Sequence, residues 1–275
     1  MQEQQSFEAY GVTDRLPQVD AIDEAVAELR INGVTTVVSG LSADFIEALK
    51  RGLDEVYTVQ ATEMGGEEKL LRMNDADIAR CMLSYDANFL TAATAPPLLE
   101  LTRRFIGPQF VLLMQNGILN RPERENYQAK WHRDLNYQHW TSSKPMALNA
   151  LLCLDGFTLE NGATHVLAGT QHVASFPTDA FARAHERQIT APAGSFLIMD
   201  AMMFHRAGIN RSGKVRRAIN HVIGLPFMAQ QIDIPSAMAR RGQAVPTDPT
   251  IRNYLGYRWS PAADAIEWRS RRLPA

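Results

Sequence analysis

The stretch WHRDLNYQHW (131–140) sets an imidazole, His132, two places before a carboxylate, Asp134, with Arg133 between them. On a strand, residues i and i+2 point the same way; on a helix they diverge by roughly 200°. An HxD pair therefore grips one metal ion only from extended backbone. Residues 131–137 lack helical periodicity and follow the polar RPERENYQAK, which fits extended backbone; the alternative is a charged surface loop. His205 ends the apolar stretch GSFLIMDAMMFH and is the candidate third ligand, although a histidine there also suits a hydrogen-bonded core position. Two histidines and one carboxylate make a facial set suited to non-heme ferrous iron, with three coordination positions left open for a co-substrate and O2. The same donors bind zinc.

Arg216 is the fourth residue with chemical potential. INRSGK (209–214) reads as a turn between two strands. Alternation after it places Arg216, Ala218, Asn220 and Val222 on one face and Arg217, Ile219, His221 and Ile223 on the other. An arginine sharing a face with Ala and Val needs an anion, because an unpaired buried guanidinium is very costly. A carboxylate held by a bidentate pair would satisfy it. An internal Asp–Arg pair, or a solvent-facing strand side, would also account for it.

Two textures of chain must position these residues. Before Gly107 the sequence is mostly helical. In DAIDEAVAELRING, Ile22, Val26 and Leu29 share a face and Gly33 stops the helix; VTTVV (34–38) is a short strand. Ser42 caps a second helix with Phe45, Ile46, Leu49, Leu53 and Val56 on its buried stripe. Residues 62–80 read as a polar, mobile loop, and PPLLELTRRFIG (96–107) as a helix opened by proline and closed by glycine. After Gly107 come short runs rich in β-formers: FVLLMQNGIL, PMALNALLCLDGF, ATHVLAG, GSFLIMD and VRRAINHVIGL. Turns such as DG, ENG, PAG and SGK separate them, a pattern of a sandwich or barrel. No linker or repeat interrupts the chain, so one domain over residues 1–275 is expected: a helical layer (1–107), a β-core (108–228) and a C-terminal cover (229–275).

Bulk properties narrow the function classes. With 275 residues, 45% of them hydrophobic, the chain can bury one large core. A net charge of −2 argues against nucleic acid as a partner. Only two cysteines occur, far apart, which suits a reducing compartment. The start MQEQQSFEAYG lacks a leader pattern, and no apolar run reaches bilayer length, so a cytoplasmic location without membrane contact is expected.

Taken together, HRDLNY, LLCLDGFTLENGATHVLAGTQH and FHRAGINRSGKVRRA resemble the phytanoyl-CoA dioxygenase family of Fe(II)/2-oxoglutarate oxygenases, from about Ile31 to about Pro226. GVTTVVSGLSADFIEALKRGLDEV is similar to that family's N-terminal strand and helix. The resemblance implies a mainly β, α+β fold: a double-stranded β-helix (jelly-roll) core buttressed by N-terminal helices. It implies His132, Asp134 and His205 as iron ligands and Arg216 as the partner of the distal carboxylate of 2-oxoglutarate. Gln115 matches a position that often faces the co-substrate, and Asn120 and Tyr137 are weaker matches near that pocket. Trp140 lies where the family often places an aromatic at the metal mouth; an interior packing role fits it equally. His172, in GTQH, matches a structural turn. One departure is Ala207, where the family often carries a small hydroxyl that bonds the co-substrate carboxylate.

The reaction implied is hydroxylation of an unactivated C–H bond of a small molecule, using Fe(II), 2-oxoglutarate and O2 and releasing succinate and CO2. Related halogenases lack the carboxylate ligand, so Asp134 favours hydroxylation, with desaturation or ring closure still open. A zinc hydrolase, a non-catalytic metal-binding jelly roll and a protein hydroxylase are the rivals. Arg121, Arg124, Lys130 and Arg133 would favour an anionic substrate if they face the site; interleaved Glu123 and Glu125 fit an ordinary solvated surface.

Overall fold

The carboxylate of Asp20 accepts from the backbone N–H groups of Ile22 and Asp23 and so starts α1 (Ala21–Asn32). Gly33, at φ 78°, ends it in the left-handed conformation that costs glycine least. The chain then enters β1 (Val34–Val38). Ser42 caps α2 (Ala43–Glu63), which buries Ile46, Leu49, Leu53 and Val56, with Phe45 at the margin. These elements form as the periodicity predicts. The computed structural model describes residues 9–124, 127–135 and 141–273.

Residues 62–80 differ from the mobile loop expected of them. They contain α3 (Glu67–Arg72) and β2 (Ile78–Arg80), with Leu70, Ile78 and Ala79 buried. Side chains of α2 satisfy part of their backbone. The Gln60 side chain pairs with both backbone groups of Arg80, at 2.8 and 2.6 Å, and the Tyr57 hydroxyl accepts from Asp77 N–H. Short α4 (Asn88–Ala93) and α5 (Pro96–Phe105) complete the N-terminal helices.

The β-rich half supplies β3 (Val111–Asn120), β4 (Ala147–Cys153), β5 (Thr164–Val166), β6 (Arg187–Ile189), β7 (Ser195–Asp200), β8 (His205–Arg206) and β9 (Arg216–Gly224). Helix α6 (Asp179–His185) precedes β6, and α7 (Ile234–Arg240), α8 (Pro249–Tyr254) and α9 (Ala265–Ser270) follow β9. Six strands form one antiparallel sheet in the order β1-β7-β4-β9-β3-β2; β6-β5-β8 form a second. A bridge from His132 to His205 extends the second sheet beyond β8. These are the two facing sheets of a jelly roll. The segment expected to be a helical layer thus also contributes both edge strands of the large sheet.

Strand alternation gives the large sheet two different faces. Its outer face, with Leu112, Leu148, Leu152, Phe196, Ile198, Ile219 and Ile223, packs on Leu29, Leu49, Leu53 and Leu98 of the helices. Its inner face, with Ile118, Leu151, Leu197, Met199 and Ala218, meets Phe157 and Val166 across the jelly roll. From the C-terminal segment, Ile234, Met238, Tyr254 and Leu255 join the outer core. No helix among the described residues is long and apolar enough to cross a membrane.

Candidate metal centre

His132 and His205 face each other as a narrow antiparallel bridge. Each backbone N–H donates to the other residue's carbonyl at 3.0 Å, so the two imidazoles emerge side by side, ring centroids 4.4 Å apart. Two residues on, the Asp134 N–H donates to the Ala201 carbonyl at 3.1 Å. That contact keeps the HxD segment extended, and the carboxylate returns to the same side as His132. One donor atom from each of His132, Asp134 and His205 lies within 4.8 Å of the other two, and His205 Nε2 is 3.7 Å from Asp134 Oδ2. Two candidate ligands from the bridged HxD segment and one from β8 thus converge on one point.

The surroundings fix how the donors are presented. His132 Nδ1 is 2.7 Å from the Lys130 carbonyl, and His205 Nδ1 is 3.0 Å from that of Met203. A carbonyl only accepts, so each Nδ1 carries the proton and each Nε2 offers its lone pair to the centre. Burial and the neighbouring His205 push His132 down to about 4, against the pull of Asp134, and so keep it a neutral donor. The Asn149 side-chain amide donates to Asp134 Oδ2 and orients the carboxylate. Arg133, pointing the other way, donates to the carbonyls of Thr170, Val173 and Ala174 and stacks over the Phe204 ring at 3.9 Å. The middle residue of HRD is an anchor that sets the register of the two ligands beside it.

Arg216 reaches the same cavity, whose walls also include Asn149, Thr164, Ala207 and Asn220. It is 4% exposed, and its Nε and Nη1 have no hydrogen-bond partner. Burial pushes the guanidinium down to about 10, and its Cζ lies 4.0 Å from the Phe157 ring centroid. Leaving such a group unsatisfied costs several kcal/mol on general grounds. The arrangement is built for an anion: a planar fork, stacked and desolvated, opposite a three-donor metal set. Asn149 Oδ1 and Asn220 Oδ1 are further buried acceptors without partners. Neither asparagine stands in a motif. Their signal in the sequence is a polar side chain inside an otherwise apolar strand.

Other expectations fare differently. Gln115 lies on the outer face, away from the cavity: its register partner is His221, and alternation gives the two a common side. Its amide accepts from Leu83 N–H at 2.9 Å, donates to the Phe89 carbonyl at 2.7 Å and lies 3.1 Å from His221 Nε2, so it serves the helix–sheet interface. Asn120 sits opposite Arg216 in register, but its amide donates to the Gly208 carbonyl and its carbonyl accepts from Asn210. It braces the turn after His205, where Gly162 and Gly208 approach so closely that a Cβ on Gly162 would stand 2.4 Å from the Gly208 oxygen. Tyr137 and Trp140 lie outside the described residues. His172 Nε2 is 3.1 Å from the Arg30 carbonyl and ties its turn to α1. The basic cluster is largely consumed. Arg121 and Arg124 hold the buried Asp77 at 2.6 and 2.8 Å, and Arg133 is spent on carbonyls, so these three do not present charge to a substrate.

Comparison with known proteins agrees with this geometry. The chain is 28% identical to the uncharacterized protein Rv1501 of Mycobacterium tuberculosis over 249 residues, covering 87% of each. A segment of 101 residues, 34% of this chain and 32% of its relative, is 31% identical to the iron/alpha-ketoglutarate-dependent dioxygenase penM of Penicillium thymicola. The fold is similar to that of EctD from S. alaskensis, solved with 2-oxoglutarate and 5-hydroxyectoine, with a TM-score of 0.62 and 16% identity over 76% of this chain and 77% of that one. The family model for phytanoyl-CoA dioxygenase (PhyH) matches residues 29–218, more than half of the sequence, and the chain belongs to that family.

Proposed function

We propose that the chain is an Fe(II)- and 2-oxoglutarate-dependent oxygenase that hydroxylates an unactivated C–H bond of a small molecule, consuming O2 and releasing succinate and CO2. The observation that carries this reading is the unpartnered, buried Arg216 fork in one cavity with His132, Asp134 and His205. A hydrolytic zinc site uses the same three ligands but leaves that guanidinium without work.

The residues present fit the cofactors. His132 and His205 would hold iron through Nε2, with Asp134 as the anionic ligand held by Asn149. Three protein donors on one side leave positions for a chelating keto acid and for O2. Arg216 would take the distal carboxylate through its buried guanidinium, a charge-assisted contact that fixes the keto acid's direction. The Phe157 ring, 4.0 Å from Cζ, backs the guanidinium from one side. The iron and the keto acid supply the oxidation when bound; the protein supplies placement and a dry cavity. Ala207 offers the co-substrate no hydroxyl, which leaves its far carboxylate mainly to Arg216.

The test is anaerobic addition of Fe(II) and 2-oxoglutarate to metal-free protein. Wild type should develop the visible charge-transfer band of an iron–keto acid chelate, and Asp134→Ala should not. A wild-type protein that binds the metal but gives no band, and releases no CO2 from labelled 2-oxoglutarate once O2 is admitted, would be a zinc-type or non-catalytic site.

A further inference from the structure

Asp134 lines a second space besides the polar cavity of Arg216. This groove, about 410 Å3, runs over Leu113, Met114, Met146, Val222, Phe227 and Met228. It is large enough for a small-molecule ligand. Among the described residues its lining includes no lysine, arginine or histidine, and its polar side chains are Asp134 and Gln231. Three of its walls are methionines, unbranched and polarizable side chains that mould to irregular apolar shapes. Of the four cations that the sequence places nearby, Arg121 and Arg124 are committed to Asp77 and Arg133 to carbonyl oxygens, while Lys130 is exposed and does not line the groove.

We propose that this groove is the site of the primary substrate and that it selects a neutral, predominantly hydrocarbon small molecule rather than an anionic one. The inference rests on the oxygenase reading for its reaction and on the groove's own lining for its specificity. The metal ligands stand between two unlike compartments. On one side lie Arg216, Asn149, Asn220 and Thr164, suited to a small dicarboxylate. On the other lies an apolar wall that begins at the ligand Asp134 itself. A carboxylate, phosphate or sulfonate laid along the groove's apolar wall would meet no cationic side chain among the described lining residues, which is unfavourable. A C–H bond of an apolar skeleton laid along Met114, Val222 and Met228 would lie next to the metal with no polar group to desolvate. The two co-reactants are thereby sorted by polarity before any chemistry begins.

A matched pair of fluorescent probes tests the assignment on the full chain: neutral N-phenyl-1-naphthylamine, and 8-anilinonaphthalene-1-sulfonate, the same skeleton with one sulfonate. The neutral probe should bind about tenfold more tightly or better, as expected when a charge is buried without a partner. Phe227, 74% exposed, can be changed without disturbing the core, and Phe227→Asp should weaken the neutral probe about fivefold or more. Met228→Lys should narrow or invert the preference by giving the sulfonate a partner. Equal binding of the two probes by wild type, or insensitivity of both to Phe227→Asp and Met228→Lys, overturns the proposal. Probe binding is read on metal-free protein and the iron–keto acid band in separate samples. A missing band with the expected probe pattern therefore removes the oxygenase reading alone, and a normal band with the wrong probe pattern removes the groove assignment alone.

Discussion

Arg216 and Arg217 are neighbours on one strand and live in opposite worlds. Arg217 points outward to α2, where Asp54 accepts two hydrogen bonds at 2.9 Å and Asp155 stands 3.6 Å away. Arg216 points inward, buried, with two guanidinium nitrogens unpartnered above Phe157. A strand turns successive side chains to opposite faces, so one sequence step separates a finished contact from an unfinished one. A cation whose hydrogen bonds are complete within the chain holds the fold; one left incomplete at high desolvation cost is kept for something the chain does not contain. The same contrast runs along the strand: inward Asn220 has an orphaned acceptor, whereas outward His221 is engaged by both Ala150 and Gln115.

Substitution at Arg216 should separate the two arginines most sharply. Arg216→Met should raise the 2-oxoglutarate concentration needed for half-maximal turnover by on the order of 10²-fold, as expected for losing a desolvated charge pair. It should leave thermal stability unchanged or higher, because an unpaired buried charge disappears. A loss of stability without a change in 2-oxoglutarate dependence would reverse the assignment.

A pH titration of stability sharpens the contrast on the outer face. Burial pushes His221 from 6.5 down to about 4, so it binds protons more readily unfolded; its contribution is present above pH 6.5 and is lost as pH falls towards about 4. Burial pushes Asp200 from 3.8 up to about 6, so its effect has the opposite sign: stability present near pH 4 is lost as pH rises through about 6. In the wild type the two slopes oppose each other across nearly the same window. Asp200→Asn should therefore steepen the acid-side loss and His221→Gln should flatten it, each by up to roughly 2–3 kcal/mol between pH 4 and 7 in urea unfolding.

Arg217→Met should cost about 1 kcal/mol in the same assay, the range for a partly exposed ion pair, and leave the 2-oxoglutarate dependence within about twofold. The smallest effect is expected at Ala207. Ala207→Ser, adding a hydroxyl to the polar cavity, should tighten 2-oxoglutarate by no more than about fivefold, the worth of one neutral hydrogen bond.

How far the site was legible follows from how local its chemistry is. The convergence of His132, Asp134 and His205 is legible in part because HxD spacing is itself a geometric constraint and because His205 closes an apolar stretch of sequence. The inward direction of Arg216 followed from alternation within its own strand. Gln115 was misread because its face depends on register against β9, which no stretch of β3 encodes. Residues 62–80 looked unstructured because their partners, Gln60 and Tyr57, belong to another element. The apolar groove left no motif, since its lining comes from β3, Asp134 and Leu135, Met146 ahead of β4, β9 and the chain after Pro226, which are far apart in sequence.

The reciprocal backbone bond between His132 and His205 has a bearing on metal exchange. Two rungs of ladder already hold these distant parts of the chain together, so an arriving ion closes no loop and orders no coil. Its affinity is free of that entropic toll, and chelation should strip the catalyst while leaving its architecture standing. Circular dichroism before and after dialysis against a chelator should superimpose, unlike a zinc finger, which unravels when its ion departs.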